Sequence, residues 1–383
     1  MTAAPVQSIP PDEQNGKPKE AIGLCLSGGG YRAMLFHTGV VWRLYEVGLL
    51  KTIERISSVS GGSITAAVLA LKWPKLSFDA ARLQIDFVSE VVNPIRTLAS
   101  ETIDREAIVL GLVLPGRVSD RVVAAYERHL FGKATLQHLP DSPRFVINAT
   151  NVQSGALWRF MKPYMRDYRV GEVLKPTIAL AQAVAASSAF PPVLSPVEMR
   201  LDADAFTPGS GLDLQRPPFS TKVILSDGGV YDNLGLETVW KRYRTVLVSD
   251  GGAKIQAEEE PKSNWAEHAF RILDIVDNQV RSLRKRQLID SYKAAEGDAN
   301  YRKGTYWGIR TNIADYGLAD PLPCPFERTI ELAATPTRLK RLDDPLQERL
   351  INWGYAVCDA ALRKHLDPTL GKPAGFPYPA QGV

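Results

Sequence analysis

Twice near its start the chain runs from an apolar strand through a glycine-rich turn into a helix, and this order limits the fold more than any other feature. Ala21-Ile22-Gly23-Leu24-Cys25-Leu26 reads as a buried strand, Ser27-Gly28-Gly29-Gly30-Tyr31-Arg32 as its turn, and 35–47 as a helix closed by Gly48. Residues 53–59 read as the second strand, Ser60-Gly61-Gly62 as its turn, and the segment to about Lys72 as its helix. Two strand–helix units in succession predict parallel strands joined by right-handed crossovers. The expected fold class is α/β, three-layer α/β/α, with a mostly parallel central sheet.

From Pro74 to Pro143 the strand pattern stops, and helical segments at 78–90, 104–114 and 119–130 predict a helical insertion. Its apolar run 107–114 is too short to span a bilayer and reads as a buried packing helix, with a lid or an interfacial contact over a lipid-binding cleft as the sharper alternative. Strands resume at 144–151 and 157–160, around a Ser154-Gly155 turn. A small-residue helix over 177–188 ends at Pro191-Pro192, and 202–218 reads as a surface loop. Strands at 222–226 and 245–249 each run into Ser-Asp-Gly-Gly. A long amphipathic helix follows over 265–294, then a strand at 304–310 and a closing helix at 345–365. Arg281, Arg284, Lys285 and Arg286 on the long helix read as a solvated face, with an anionic membrane surface as the alternative.

Composition narrows the function classes. A net charge of +4 over 383 residues, without a dense Lys/Arg tract or zinc-finger spacing, points away from nucleic acid. Cys25, Cys324 and Cys358 are odd in number and far apart, which suits a reducing compartment and no disulfide framework. Met1 to Glu20 is Pro-rich and polar without an apolar core, so it reads as a disordered arm rather than a secretory leader. No transmembrane run is present. The expected location is cytoplasmic, with peripheral contact at the membrane, and the oligomeric state stays open.

Three turns carry the chemistry, all expected at the carboxyl ends of parallel strands, where open α/β sheets bind ligands. Ser60 stands at a strand-to-helix bend, the context of a nucleophile elbow. Gly28, Gly29 and Gly30 expose backbone N–H groups suited to an oxyanion, with Arg32 adding positive charge. Gly28-x-Gly30-x-x-Ala33 also fits a dinucleotide fingerprint, but the next strand ends without the acidic residue that motif needs, and no GK[ST] follows for a P-loop. Asp227, on the Asp-Gly-Gly bend, can serve as a general base beside a serine. Histidines His37, His129, His138, His268 and His365 all fall in or beside predicted helices. The order Ser60…Asp227…His268 would suit a hydrolase triad, ranked below a two-residue arrangement because His268 lies inside an amphipathic helix.

Taken together these motifs resemble the patatin-like phospholipase family, in its bacterial form. Gly28 to Arg32 matches G-G-G-x-R, and Ser58 to Gly62 matches the elbow G-x-S-x-G with Ser60 as nucleophile. Asp227-Gly228-Gly229 matches D-G-[GA] with Asn233 following, and Ala186 to Pro191 matches A-S-x-A-x-P. Ser58 replaces the first elbow glycine, and Ala33 stands where glycine commonly follows the arginine. The likeness covers about Ile22 to Gly235. It implies a Ser60–Asp227 dyad acting on lipid acyl esters, with no metal, no cofactor and no histidine. The expected organisation is an arm at 1–20, a catalytic domain at 21–255 and an extension at 256–383 packed on it. A general carboxylesterase or triacylglycerol lipase, and a non-catalytic lipid-binding protein, are the alternatives.

Overall fold

The computed structural model describes residues 17–78, 83–103 and 117–383. Its centre is a ten-stranded sheet. Strands β1 (Lys19–Leu26), β2 (Ile53–Val59), β3 (Arg144–Asn151), β9 (Tyr243–Asp250) and β10 (Lys303–Gly308) lie parallel in the order β10-β9-β1-β2-β3. Beyond β3, strands β4 (Ala156–Phe160), β5 (Tyr164–Asp167) and β6 (Gly171–Leu174) continue antiparallel.

Side chains alternate along the central strands, and both faces are covered. Leu24, Leu26 and Leu247 enter the large core beneath helices α1 (Gly30–Glu46) and α2 (Gly61–Lys72). Cys25, Val246 and Val248 enter a smaller core on the other face with Leu234, Val239 and Leu288. Leu288 belongs to the long helix α4 (Trp265–Lys293), and the short α3 (Leu180–Ser187) precedes it in the chain. The closing helix α5 (Asp344–His365) lies against α1 at backbone contact distance. A Cβ on Gly39 would stand 1.9 Å from the Ile351 carbonyl oxygen, and one on Gly354 1.9 Å from that of Phe36. A buried Arg43–Asp359 ion pair at 2.7 Å crosses the same contact. The 256–383 region thus supplies both an edge strand of the sheet and a helix of its main layer.

Several expectations change. Strand β1 begins at Lys19, so the arm stops short of Glu20; its first sixteen residues lie outside the described ones, as do the expected 104–114 helix and its apolar run. The rest of the insertion is helical over Leu83–Phe87, Asn93–Ala99 and Arg117–Tyr126, with π turns at Val88–Val92 and Glu127–Phe131. Helix α1 starts at Gly30, directly inside the glycine turn, rather than at 35.

The main correction concerns β8 (Lys222–Asp227), which is antiparallel to β3 and paired on its far side with β7 (Val197–Arg200). Residues 144–148 of β3 pair with β2, whereas 149–151 pair with β8. Strand β4 occupies the opposite edge of β3. Strands β2 and β8 therefore share one edge of β3 and meet with their carboxyl ends facing each other.

Candidate active site

That head-to-head meeting puts Ser60 and Asp227 side by side. Val59 pairs with Asn148, and the next β3 residue, Ala149, pairs with Asp227. Ser60 follows Val59 and so comes level with Asp227 along the same edge of β3. It is buried and bends sharply, at φ 51° and ψ −120°, before α2 begins at Gly61. A non-glycine residue at positive φ is strained, and such strain persists only where its surroundings hold it.

The hold is visible. The Ser60 N–H donates to Ser187 Oγ at 3.0 Å, at the end of α3. Ser187 Oγ lies 2.8 Å from Ser63 Oγ, which donates to Ser58 Oγ at 3.0 Å, and Ser58 Oγ donates to the Val146 carbonyl at 3.2 Å. Ser58, the residue replacing the usual first glycine of the elbow, is thus one end of a buried hydroxyl chain. Sequence reading noted Ser187 only as part of a motif and passed over Ser63. Their signal was helical spacing: Ser63 lies one turn beyond Ser60.

Asp227 is anchored from its backbone. Its N–H donates to the Ala189 carbonyl at 2.9 Å, and Thr150 Oγ1 donates to its carbonyl at 2.8 Å. Oδ1 accepts the Gly229 N–H at 2.7 Å, while Oδ2 is buried with no hydrogen-bond partner. Burial pushes the carboxyl up to about 7, and the charge of Asp277 pushes the same way. The Gly229 N–H and the nearby Ser60 hydroxyl oppose the rise.

The glycine turn meets the elbow from the other side. A Cβ on Gly28 would lie 3.1 Å from Ser60 Cβ, and one on Gly61 2.1 Å from the Gly30 carbonyl oxygen. Gly28 does not offer its amide, which donates to the Asn233 carbonyl at 3.1 Å. The N–H groups of Gly29, Gly30 and Gly61 have no acceptor among the described residues, and they stand at the first turns of α1 and α2. Helix amino termini favour negative charge. Arg32 is buried rather than facing an open site. Its Nε donates to the Gly251 carbonyl at 3.0 Å, Nη1 to the Thr335 carbonyl, and Nη2 has no partner although Gly29 is close beside it. It ties the first glycine turn to the turn after β9.

The second Ser-Asp-Gly-Gly is a different structure. Asp250 accepts from Tyr306 Oη at 2.7 Å and from the Gly252 N–H at 2.9 Å, with Arg281 Nε at 3.5 Å. Burial opposes its ionisation, yet these groups hold it below the usual carboxylate range. The basic cluster of α4 serves this inner framework: Arg281 also donates to the Gly252 and Ala253 carbonyls, and Arg284 lies 3.6 Å from buried Asp232 and 3.2 Å from Glu237. Lys285 lies over the Tyr306 ring at 4.2 Å, and Arg286 has no such link among the described residues.

His37 is fully buried between the Ser27 carbonyl and Ser249 Oγ, both at 2.9 Å. Burial lowers it to about 4. His268 is exposed, beside the Lys262 carbonyl. Among the described residues no group of three or more His, Cys, Asp or Glu side chains is placed to hold a metal, and no helix is long and apolar enough to cross a membrane. A cleft of about 530 Å³ lies at the opposite, amino-terminal edge of the strands, lined by Lys19, Glu54, Arg55 and Arg144, and has no part in this site.

A family model described as patatin-like phospholipase matches residues 24–240. No curated protein matches the sequence. Among solved structures, human GIVD cytosolic phospholipase A2 is similar at a TM-score of 0.52 and 13% identity, over 90% of this chain and 61% of that one. The same human protein, in complex with methyl gamma-linolenyl fluorophosphonate inhibitor and terbium chloride, matches at 0.50 and 13%, over 89% and 57%. The chain thus spans about three-fifths of the length of these structures, and the likeness is one of fold.

Proposed function

The chain belongs to the patatin-like phospholipase family, and from that premise we propose that it is a lipid acyl hydrolase of phospholipase A or lysophospholipase type, working through Ser60 and Asp227. One observation carries the reading: a strained, buried serine stands level with a carboxyl oxygen that has no other partner and whose acidity is shifted to about 7. A carboxylate in that range can both take and return a proton near neutral pH.

Ser60 Oγ attacks the ester carbonyl carbon as its proton passes to Asp227 Oδ2. The negative charge that develops on the carbonyl oxygen is met by the free N–H groups of Gly29, Gly30 and Gly61 at two helix amino termini. Gly28 and Arg32, whose polar groups are engaged or buried, hold that turn in place. Asp227 then protonates the leaving alcohol oxygen, leaving an acyl group on Ser60. A water gives its proton to Asp227 as it attacks, the acyl–oxygen bond breaks, Ser60 regains its proton and the fatty acid departs. The catalytic unit on this reading is 21–255, completed by the strand and helix of 256–383, and the protein works from the cytoplasmic side at the surface of its lipid.

The test is covalent labelling by an alkyl fluorophosphonate, followed by product analysis on defined phospholipids and triglycerides. Labelling of the parent protein and its loss in Ser60→Ala are expected. Equal labelling of both proteins removes Ser60 as nucleophile, and no labelling of either favours a non-catalytic lipid binder. Release of fatty acid from triglycerides but not from phospholipids would select the general lipase alternative.

A further inference from the structure

Over its first nineteen residues helix α4 keeps its large apolar side chains outside, although Leu288 nearer its end enters the smaller core. Of the fifteen large apolar side chains exposed among the described residues, eight lie on it: Trp265, Phe270, Ile272, Leu273, Ile275, Val276, Val280 and Leu283. Trp265 is 85% exposed and Leu273 58%. Meanwhile Arg281 and Arg284 point inward, to the turns that follow β9 and β8. Ordinary surface helices do the reverse, and an apolar patch of this extent marks an interaction surface.

The placement of this face says what it meets. Asp277 of α4 acts on the charge of Asp227, and Arg284 lies over the Tyr231 ring in the short helix directly after Asp227, so the helix borders the candidate site. Val230, three residues after Asp227, and Phe190, next to the Ala189 that accepts the Asp227 N–H, are both about half exposed and add apolar surface near the site. At 100° per residue seven of the eight, all but Phe270, fall within an arc of roughly 160°, wider than the stripe one packed helix covers, and Arg281 and Arg284 lie outside it. The charges are also informative. From Trp265 to Val280 a single arginine, Arg271, stands against Glu267, Asp274 and Asp277. An anionic surface would repel this stretch, whereas a neutral one would not.

We propose that the exposed face of α4 seats the protein on a zwitterionic phospholipid surface, sinking its apolar side chains among the acyl chains beside the site. This rests on the lipid hydrolase reading above, and it differs from the alternative weighed for the basic cluster, contact with an anionic membrane. A second copy of the chain packed along the same face would cover surface that borders the candidate site.

The experiment compares the parent protein with Leu273→Ser/Val276→Ser/Val280→Ser, each also carrying Ser60→Ala for sedimentation with phosphatidylcholine vesicles. Circular dichroism verifies that the helix is retained. The expected result is at least a tenfold loss of vesicle binding in the triple variant, and parent binding that changes little between 0.1 and 1 M salt. Without the Ser60 change, the triple variant loses hydrolysis of vesicle lipid but keeps that of a water-soluble butyrate ester. Unchanged vesicle binding in the triple variant overturns the proposal. So does a parent dimer that the three changes convert to monomer while vesicle binding persists. A parent protein inactive on the soluble ester would defeat the hydrolase reading alone, since sedimentation decides the surface independently.

Discussion

The amide of Ser60 donates to the hydroxyl of Ser187 across 3.0 Å, so the residue at the strained bend is held by a side chain 127 positions away. Removing that acceptor leaves a buried N–H unpaired, at a cost of about 1–3 kcal/mol. It also frees the bend to relax from positive φ, moving the hydroxyl away from Asp227. Ser187→Ala is expected to lower kcat roughly 10- to 100-fold with little change in KM, the pattern of lost transition-state positioning. Ser58→Gly restores the usual elbow glycine and breaks only the far end of the hydroxyl chain, since Ser63 keeps its contact with Ser187. Its effect on kcat should be much smaller. Steady-state kinetics on a soluble ester checks both.

The raised acidity range of Asp227 governs two pH dependences. As a base it must be ionised, so kcat/KM should climb through an acid limb near pH 7. Asp277→Asn removes a neighbouring negative charge that favours the protonated form, and it should move that limb to lower pH. Stability runs the other way. A carboxyl raised from 3.8 to about 7 costs nothing below pH 3.8, and its penalty grows until the folded group is fully ionised above 7. Asp227→Asn escapes that penalty, which is on the order of 4 kcal/mol for such a shift. The variant should lose hydrolysis and gain thermal stability over the parent. The gain should be absent near pH 4, widen up to pH 7 and level off beyond it. A gain that is the same at pH 4 and pH 8 would refute the burial argument.

Much of this site was legible because local chemistry dictates it. A glycine row after an apolar strand, a serine before Gly61-Gly62 and an aspartate before Gly228-Gly229 are turn signals readable without a neighbour in view. The direction of β8 was not legible. Apolar strands read the same whichever way they pair, and only the register against Ala149 and Asn151 reveals that β8 faces β2. For the same reason the loss of the Gly28 amide to Asn233 was invisible, since it joins two turns 205 residues apart. The short strands β5 and β6 lack the alternation that would announce them, and β7, which alternates as Val197-Glu198-Met199-Arg200, is too short to stand out from the loop around it. The basic residues of α4 misled because a charged helix face usually meets water, whereas here Arg281 and Arg284 find Asp250 and Asp232 beneath them.

The histidine-dependent alternative makes an opposite forecast. Neither His268 nor His365 is hydrogen-bonded to Ser60 or Asp227, and His268 is exposed on α4 beside the Lys262 carbonyl. His268→Ala and His365→Ala should therefore keep activity within about twofold of the parent, as surface changes away from a site usually do. Loss of turnover in either one, with folding intact, would reinstate a triad. His37 is unsuitable for this comparison, because its burial between Ser27 and Ser249 makes any truncation a packing change as well.

Gly61 is where the two glycine turns touch. A methyl group there would stand 2.1 Å from the Gly30 carbonyl oxygen and 3.0 Å from its carbon. Neither can yield easily, because both belong to the first residue of α1 and the adjoining Tyr31 N–H is fixed on the Arg338 carbonyl at 3.0 Å. Gly61→Ala has to push α1 and α2 apart at their amino termini, where the free amides of Gly29, Gly30 and Gly61 converge. Overpacking of this kind costs about 1–3 kcal/mol. The larger effect should be catalytic: misplacing one oxyanion donor lowers kcat by about 100- to 1000-fold. Gly297→Ala is the control, since a Cβ there meets nothing within 4 Å, and its stability should stay within about 0.5 kcal/mol of the parent. Chemical denaturation paired with fluorophosphonate labelling rates separates the two effects. A Gly61→Ala protein that labels at the parental rate would show that the approach of the two helix termini has no part in stabilising the developing charge.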